Sequence, residues 1–196
     1  IVHPLAVAKI LVSLKMDSAC ICAALLHDTV EDTDIKLDFI RQKVGREVAG
    51  MVDSLTKIKT HALAAKLQKD HARAETMRKI VLGMAKNVRV IIVKLADRWN
   101  NIQTLNYLPA EKQKQIARET MAIYAPIADR LGLAIIRRDL QDLSFSYLDP
   151  KNYQIYQRRR AMSRSFLEKD VEKLSLEIKN LLNQHGLEVK IYDRFK

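Results

Sequence analysis

The sequence has 196 residues, of which 48% are hydrophobic and 29% charged, the balance of a globular protein with one substantial core. No run approaches the roughly 18 apolar residues of a membrane helix, which argues against a membrane protein, and 5 Gly and 4 Pro are too few for a loop-rich β-sandwich. Basic residues exceed acidic ones by 34 to 23, and the net charge of +11 predicts anionic partners such as phosphates or nucleic acid.

Apolar residues recur at helical spacing along most of the chain, which predicts an all-α protein. Asp17 is expected to cap the second helix, and Gly45 is expected to stop the third. The predicted helices begin after Pro4 and then run from Ser18 to about Asp28, Leu37 to Lys43, Arg46 to Thr56, Thr60 to about Lys86, Val88 to Leu105, Pro109 to Leu131, Leu133 to Leu148, and from Pro150 onward.

Two segments are ambiguous by propensity. The β-branched run from Val90 to Ala96 fits a strand as well as a buried helix, and its helical surroundings favour the helix. Residues 187–192 alternate apolar and polar side chains, which predicts a strand. Because a lone strand is unstable, its sheet partners are expected beyond Lys196, and the chain is expected to be truncated at both ends.

Cys20 and Cys22 lie two residues apart in an apolar stretch, a spacing that places them poorly for a mutual disulfide. Two small buried thiols in a reducing cytosol are therefore expected.

The stretch from His27 to Asp32 concentrates ionisable groups beside apolar sequence. His27, Asp28, Glu31 and Asp32 follow Ala23-Ala24-Leu25-Leu26 directly, and such groups are costly to bury unless something neutralises them. If the helix continues, His27 and Glu31 share one face. An imidazole with carboxylates suits a divalent ion such as Mn²⁺, Zn²⁺ or Fe²⁺. The alternative is that His27 is a hydrogen-bonded core histidine and that the acidic residues are solvated.

Two distant residues complement this cluster. His3 stands at the start of the first helix, where its ring could point into a cleft, and Asp97 ends the apolar run from Val90 to Ala96. A carboxylate at the rim of a core is retained when it is paired or binds metal. Together with His27 and Asp28, these residues would supply two imidazoles and two carboxylates to one ion.

The order of these residues resembles the HD metal-dependent phosphohydrolases. The fuller match, to the hydrolase domain of the Rel/SpoT family, rests on His3-Pro4, on Ala23 to Thr33, and on Lys94-Leu95-Ala96-Asp97-Arg98. Tyr124 to Gly132 and Leu140 to Leu148 are similar to the helical region that follows that domain in the long, two-activity members. Residues 192–196 resemble the opening of the synthetase domain.

This resemblance implies an HD-domain helical bundle over residues 1–148, a helical linker over 149–186, and the first strand of a truncated α/β synthetase domain over 187–196. It implies hydrolysis of the 3′-pyrophosphate of guanosine tetra- and pentaphosphate in the cytoplasm, and association of the full-length protein with the ribosome or RNA. The implied site residues are His3, His27, Asp28 and Asp97 as ligands of one Mn²⁺, Glu31 and Asp32 as the acid/base pair, and Asn101 and Thr104 as substrate contacts.

The sequence also departs from the family pattern. Trp99, Asn100 and Gln103 replace residues of the usual Asp-Arg-Leu-His-Asn-Met-Arg-Thr segment, and Gln103 lacks a positive charge expected near the nucleotide. The family's Arg-Lys-Ser/Thr-Gly segment would lie before Ile1. The lost charge at Gln103 predicts weaker substrate binding without an effect on the metal, and a protein limited to these residues is expected to hydrolyse poorly. The bases Lys57, Lys59, Lys94 and Arg98 are candidates to offset a polyanionic substrate, or are solvated surface charges.

Two other functions compete with this one. A different HD phosphohydrolase would act on deoxynucleotides or cyclic nucleotides, but the helices after Leu108 match the alarmone family instead. A degenerate regulatory domain would bind nucleotide or RNA without turnover, and the intact metal set and the Glu31-Asp32 pair argue against it.

Overall fold

The computed structural model describes residues 2–65, 83 and 87–191, and the regular elements in these ranges are helices. This confirms the all-α prediction for that part of the chain. The α-helices are α1 (Val2–Ser13), α2 (Ser18–Leu26), α3 (Thr29–Asp32), α4 (Leu37–Val44), α5 (Arg46–Ala65), α6 (Val88–Gln103), α7 (Ala110–Glu119), α8 (Ala125–Arg130), α9 (Ala134–Leu148) and α10 (Pro150–Gln184).

Local signals account for several helix ends. The carboxylate of Asp17 accepts a hydrogen bond from the backbone N–H of Cys20 at 2.8 Å, which confirms the predicted cap of α2. Gly45 ends α4 at a φ of 95°, a region that glycine enters without steric cost, as predicted. Helix α5 continues past the predicted end at Thr56 to Ala65, and most of the predicted Thr60–Lys86 helix lies outside the described residues.

The apolar run from Val90 to Ala96 is helical, as its surroundings predict. Helix α6 begins after Asn87, whose side chain accepts from the N–H of Arg89, and it buries residues such as Val93 and Leu95 completely. A short 3₁₀ turn, Leu105–Tyr107, follows it. Helix α6 is therefore the central element of the fold, and Asp97 lies on it.

The helix predicted from Pro109 to Leu131 is interrupted. Residues Thr120–Tyr124 form a π-helical turn between α7 and α8. Pro126 stands one residue into α8 and has no N–H to donate to the preceding turn, which explains why regular α-helical bonding changes there.

Two groups of buried side chains form the core, one on each side of α6. One group joins α1, α2 and α5 to α6 through residues such as Val7, Leu11 and Met51. The other joins α6 to α8 and α9 through residues such as Ile102 and Leu140. Helix α2 presents Ala23 and Ala24 to the core, and Leu25 is 39% exposed.

The cysteines follow the prediction in part. Both are free; Cys20 is buried, and burial raises the pKa of its thiol to about 12, whereas Cys22 is only partly buried.

Residues 1–148 and 149–196 form two compact units. In the second unit, α10 begins at Pro150, and the carboxylate of Asp149 caps it by accepting from the N–H of Asn152. The described residues of the predicted strand, 187–191, carry no strand pairing in this part of the chain, so the strand stays a prediction. No helix in the described ranges has both the length and the apolar character of a membrane span.

The cap at Asp17 yields a stability prediction. Replacing it in Asp17→Ala is expected to lower the free energy of unfolding by about 1 kcal/mol, because the N–H of Cys20 loses its acceptor, whereas Asp17→Asn keeps an acceptor and loses less. Urea unfolding at pH 7 measures both differences. Equal stability of Asp17→Ala and the wild type would contradict the assigned cap.

The carboxylate of Asp17 also makes the free energy of unfolding depend on pH. The hydrogen bond from the Cys20 backbone, and then the one from Arg89, lower the pKa of Asp17 to about 2 from its ordinary 3.8. Because the folded-state pKa lies below the unfolded one, the carboxylate's contribution is present above pH 3.8 and is lost as the pH falls toward 2. The stability advantage of the wild type over Asp17→Asn, measured by urea unfolding, is therefore expected to shrink as the pH falls from 3.8 to about 2.

Candidate metal centre

His27 and Asp28 reach the site because α2 stops just before them. The helix ends at Leu26, His27 is its C-cap, and Asp28 has φ −98° and ψ −5° before α3 begins at Thr29. The helix was predicted to end at about Asp28, and it ends at Leu26, so the continuous helix that would place His27 and Glu31 on one face does not form. The turn between α2 and α3 lets two consecutive side chains approach one point, with Nε2 of His27 3.1 Å from Oδ2 of Asp28.

His3 and Asp97 arrive from two other helices. Nε2 of His3, in the first turn of α1, lies 3.1 Å from Oδ1 of Asp97 on α6 and 4.0 Å from Oδ2 of Asp28. Nε2 of His27 lies 3.9 Å from the same Asp97 oxygen. The two imidazole rings meet edge to face with centroids 5.3 Å apart. Residues 94 positions apart in sequence are thereby brought to one point.

The donor atoms have the spacing of a metal centre. His3, His27 and Asp28 each offer one ligand atom, and these atoms lie within 4.8 Å of one another. Oδ1 of Asp97 faces both ring nitrogens. Two imidazole nitrogens and two carboxylate oxygens suit a borderline divalent ion, so the residues present fit the metal that the family resemblance implies.

Both imidazoles are held through their second nitrogen. Nδ1 of His27 donates to the backbone carbonyl of Ala24 at 2.7 Å, and Nδ1 of His3 donates to Oδ1 of Asn100 at 2.7 Å. Because a carbonyl oxygen can only accept, each Nδ1 carries the proton, and each Nε2 is left to face the site. Metal-ligating histidines are commonly oriented in this way.

Asp97 is held on both of its oxygens. Lys94 donates to Oδ2 at 2.6 Å and Asn101 donates to Oδ1 at 2.7 Å, while the Asp97 side chain is only 5% exposed. Burial alone would raise the pKa of Asp97, but attraction to Lys94 and the hydrogen bonds from His3 and Lys94 hold it far below its ordinary value. These contacts therefore favour the charged, carboxylate form of Asp97.

Without a cation, the surroundings of both imidazoles favour the protonated form by raising the pKa. The hydrogen bond to Asp97 raises the pKa of His3 above its ordinary 6.5, although burial opposes it. Burial also opposes the charged form of His27, but the hydrogen bond to Asp28 and the Ala24 carbonyl outweigh it and raise its pKa. Protons and a cation would thus compete for the same Nε2 atoms.

The remaining predicted residues surround this cluster. Glu31 and Asp32 are exposed on α3, directly after Asp28. Asn101 lies at the cluster and donates to Asp97, so the structure gives it a contact that the sequence did not predict. The hydroxyl of Thr104 is exposed and donates to the carbonyls of Asn100 and Asn101, and Gln103 is exposed.

The candidate substrate-neutralising bases are mostly engaged within the protein. Lys94 is paired with Asp97. The partly buried Arg98 is paired with Glu119 at 2.8 Å, and its guanidinium lies 4.2 Å from the ring centroid of Tyr124. Lys57 is exposed and paired with Asp53. The side chain of Lys59 lies outside the described residues. Lys94 therefore stabilises the carboxylate of Asp97. The two residues are three positions apart on one helix, a spacing that indicates such a pair.

Comparison with known proteins gives one family match and several close relatives. Residues 1–134 match the family model of the HD domain. The whole chain is 42% identical to a GTP pyrophosphokinase of Myxococcus xanthus and 37% identical to a guanosine-3′,5′-bis(diphosphate) 3′-pyrophosphohydrolase of Haemophilus influenzae, and it covers 26% and 28% of their lengths. Over 153 residues, 78% of the chain, it is 49% identical to a GTP pyrophosphokinase of Streptomyces coelicolor, of which it covers 18%. The chain thus spans about a quarter or less of these relatives.

Proposed function

The chain belongs to the HD domain family and, within it, to the Rel/SpoT group, and from this premise we propose that it is a hydrolase of guanosine tetra- and pentaphosphate. In the proposed reaction, water cleaves the 3′-diphosphate from the nucleoside and gives pyrophosphate and GDP or GTP. The observation that carries the proposal is the convergence of His3, His27, Asp28 and Asp97 from separate parts of the chain.

These four residues would hold one divalent cation, for which we propose Mn²⁺. When bound, the cation supplies Lewis-acid chemistry: it polarises water and neutralises charge on the attacked phosphoryl group. The protein supplies the fixed orientation of the donors, through Ala24 and Asn100 behind the imidazoles and Lys94 behind Asp97. Mixed nitrogen and oxygen donors suit Mn²⁺ as well as Zn²⁺ or Fe²⁺.

Glu31 and Asp32 are the proposed acid and base. Both are exposed on α3 next to Asp28, where solvent and a bound nucleotide can reach them. One carboxylate would accept a proton from the attacking water, and the other would assist the departing 3′ oxygen. Asn101 and Thr104, which follow Asp97 on and after α6, are the proposed contacts for the nucleoside and its phosphates.

Three features support hydrolysis as the activity of this segment. The matched HD region, residues 1–134, contains every proposed ligand and both proposed acid/base residues. The relatives' names include both a pyrophosphokinase and a 3′-pyrophosphohydrolase, and a metal centre with adjacent carboxylates fits the second. The net charge of +11 suits a polyanionic nucleotide.

The proposal includes a cytoplasmic location, with which two free cysteines are consistent. Association of the longer protein with the ribosome or RNA stays a prediction from the family resemblance.

A direct assay tests the proposed activity. The chain is stripped of metal, supplied with Mn²⁺ and incubated with guanosine tetraphosphate labelled in the 3′-diphosphate. Release of labelled pyrophosphate with formation of GDP, abolished by a chelator and by Asp28→Ala, is the expected result. Tight, salt-sensitive RNA binding without pyrophosphate release would favour a regulatory domain instead.

A further inference from the structure

We propose that Asn100 is a positioning residue for the metal centre, acting by fixing the ring of His3. This inference rests on the proposed function, because it assigns a role within the same site. The observation behind it is the hydrogen bond from Nδ1 of His3 to Oδ1 of Asn100, which joins α1 to α6 across 97 residues of sequence.

The two imidazoles of the site differ in how they are secured. His27 has 5% of its side chain exposed, and its partner is a backbone carbonyl three residues away, which no side-chain substitution removes. The side chain of His3 is 32% exposed and stands in the first turn of α1. Its ring therefore has less packing to hold it, and its orientation depends on the side chain of another helix.

The chemistry of the amide specifies the tautomer. Oδ1 of Asn100 accepts only, so Nδ1 of His3 must carry the proton and Nε2 must present its lone pair when a cation is bound. Turning the ring over would place a carbon against that oxygen and would remove Nε2 from its position 3.1 Å from Asp97. Asn100 thus pre-organises His3 and reduces the conformational cost of metal binding.

Asn100 is also one of the positions at which this sequence departs from the Rel/SpoT pattern. Position 100 is histidine in the segment that the Rel/SpoT resemblance suggests, and here it is asparagine. Asparagine at this position supplies an acceptor for Nδ1 of His3 and thereby links α1 to α6.

The first experiment measures Mn²⁺ affinity of the metal-stripped chain by the electron paramagnetic resonance of free Mn²⁺. Asn100→Leu, similar in size but without an acceptor, is expected to bind Mn²⁺ about 10- to 100-fold more weakly than the wild type. Asn100→Ala, which adds no bulk, is measured beside it in case the leucine variant does not fold. Asn106→Leu is the matched control, an exposed asparagine just beyond α6, and is expected to bind like the wild type.

A double-variant cycle tests whether Asn100 acts through His3. If it does, adding Asn100→Leu to His3→Ala lowers Mn²⁺ affinity no further. The pyrophosphohydrolase activity of Asn100→Leu should also return toward the wild-type kcat as Mn²⁺ is raised, which a general folding defect would not allow.

The outcomes distinguish the positioning role of Asn100 from the proposed hydrolase function. Wild-type affinity in both Asn100→Leu and Asn100→Ala, or an equal further loss in the His3→Ala background, overturns the positioning role while leaving the proposed hydrolase intact. A wild-type chain that binds no Mn²⁺ overturns the proposed metal centre itself, and this inference with it.

Discussion

Asp97→Asn is expected to abolish both Mn²⁺ binding and pyrophosphate release, and to lower the free energy of unfolding by about 3–5 kcal/mol. The substitution removes a ligand charge at the point where His3 and His27 converge. It also leaves the ammonium of Lys94, whose side chain is only 14% exposed, without the carboxylate that it contacts at 2.6 Å. Urea unfolding, Mn²⁺ titration and the pyrophosphate assay measure the three effects.

Paired variants separate the stability effect from the chemical one. The double variant Lys94→Met with Asp97→Leu removes both charges, so no unpaired ammonium is left in the core. Much of the free energy of unfolding is therefore expected to return, whereas metal binding stays lost. Asp129→Asn is the surface control, because Asp129 is 65% exposed and its ion pair with Arg137 at 3.3 Å is worth little. An Asp97→Asn chain that binds Mn²⁺ like the wild type would contradict the ligand assignment.

Glu31→Gln and Asp32→Asn are each expected to lower kcat by about 10²- to 10⁴-fold, the usual contribution of a positioned acid or base. Neither carboxylate is a proposed ligand, and both are exposed on the short helix α3, so Mn²⁺ affinity and stability should change little. Rate measurements at saturating nucleotide, beside Mn²⁺ titrations, distinguish loss of proton transfer from loss of metal.

The control for these variants is Asp34→Asn, which neutralises an exposed carboxylate just past the end of α3. It should leave kcat unchanged. Wild-type kcat in both Glu31→Gln and Asp32→Asn would show that the proposed acid/base pair takes no part in the reaction.

Features that depend on neighbouring residues could be predicted from the sequence. The cap at Asp17 involves atoms three residues apart, and the end of α4 at Gly45 needs only the conformational freedom of glycine. The helical state of α6 followed from its surroundings, because a buried apolar run fits either helix or strand until its context is known.

Features that depend on tertiary geometry could not be predicted in the same way. The break between Leu26 and Thr29 determines how the side chains of His27 and Asp28 are directed, and the predicted helix end near Asp28 does not specify that geometry. The contact between His3 and Asn100 joins residues that no periodicity relates. Lys94 has a helical spacing to Asp97 that indicates pairing, but its low exposure, 14% of the side chain, is a property of the packed core.

The most direct test of the metal centre is an anomalous difference map, recorded near the manganese absorption edge from crystals of the chain soaked in Mn²⁺. A single strong peak between Nε2 of His3, Nε2 of His27 and the carboxylates of Asp28 and Asp97 is the expected result. A map with no peak among these four side chains, in crystals where Mn²⁺ supports pyrophosphate release, would contradict the assignment of this cluster as the hydrolytic centre.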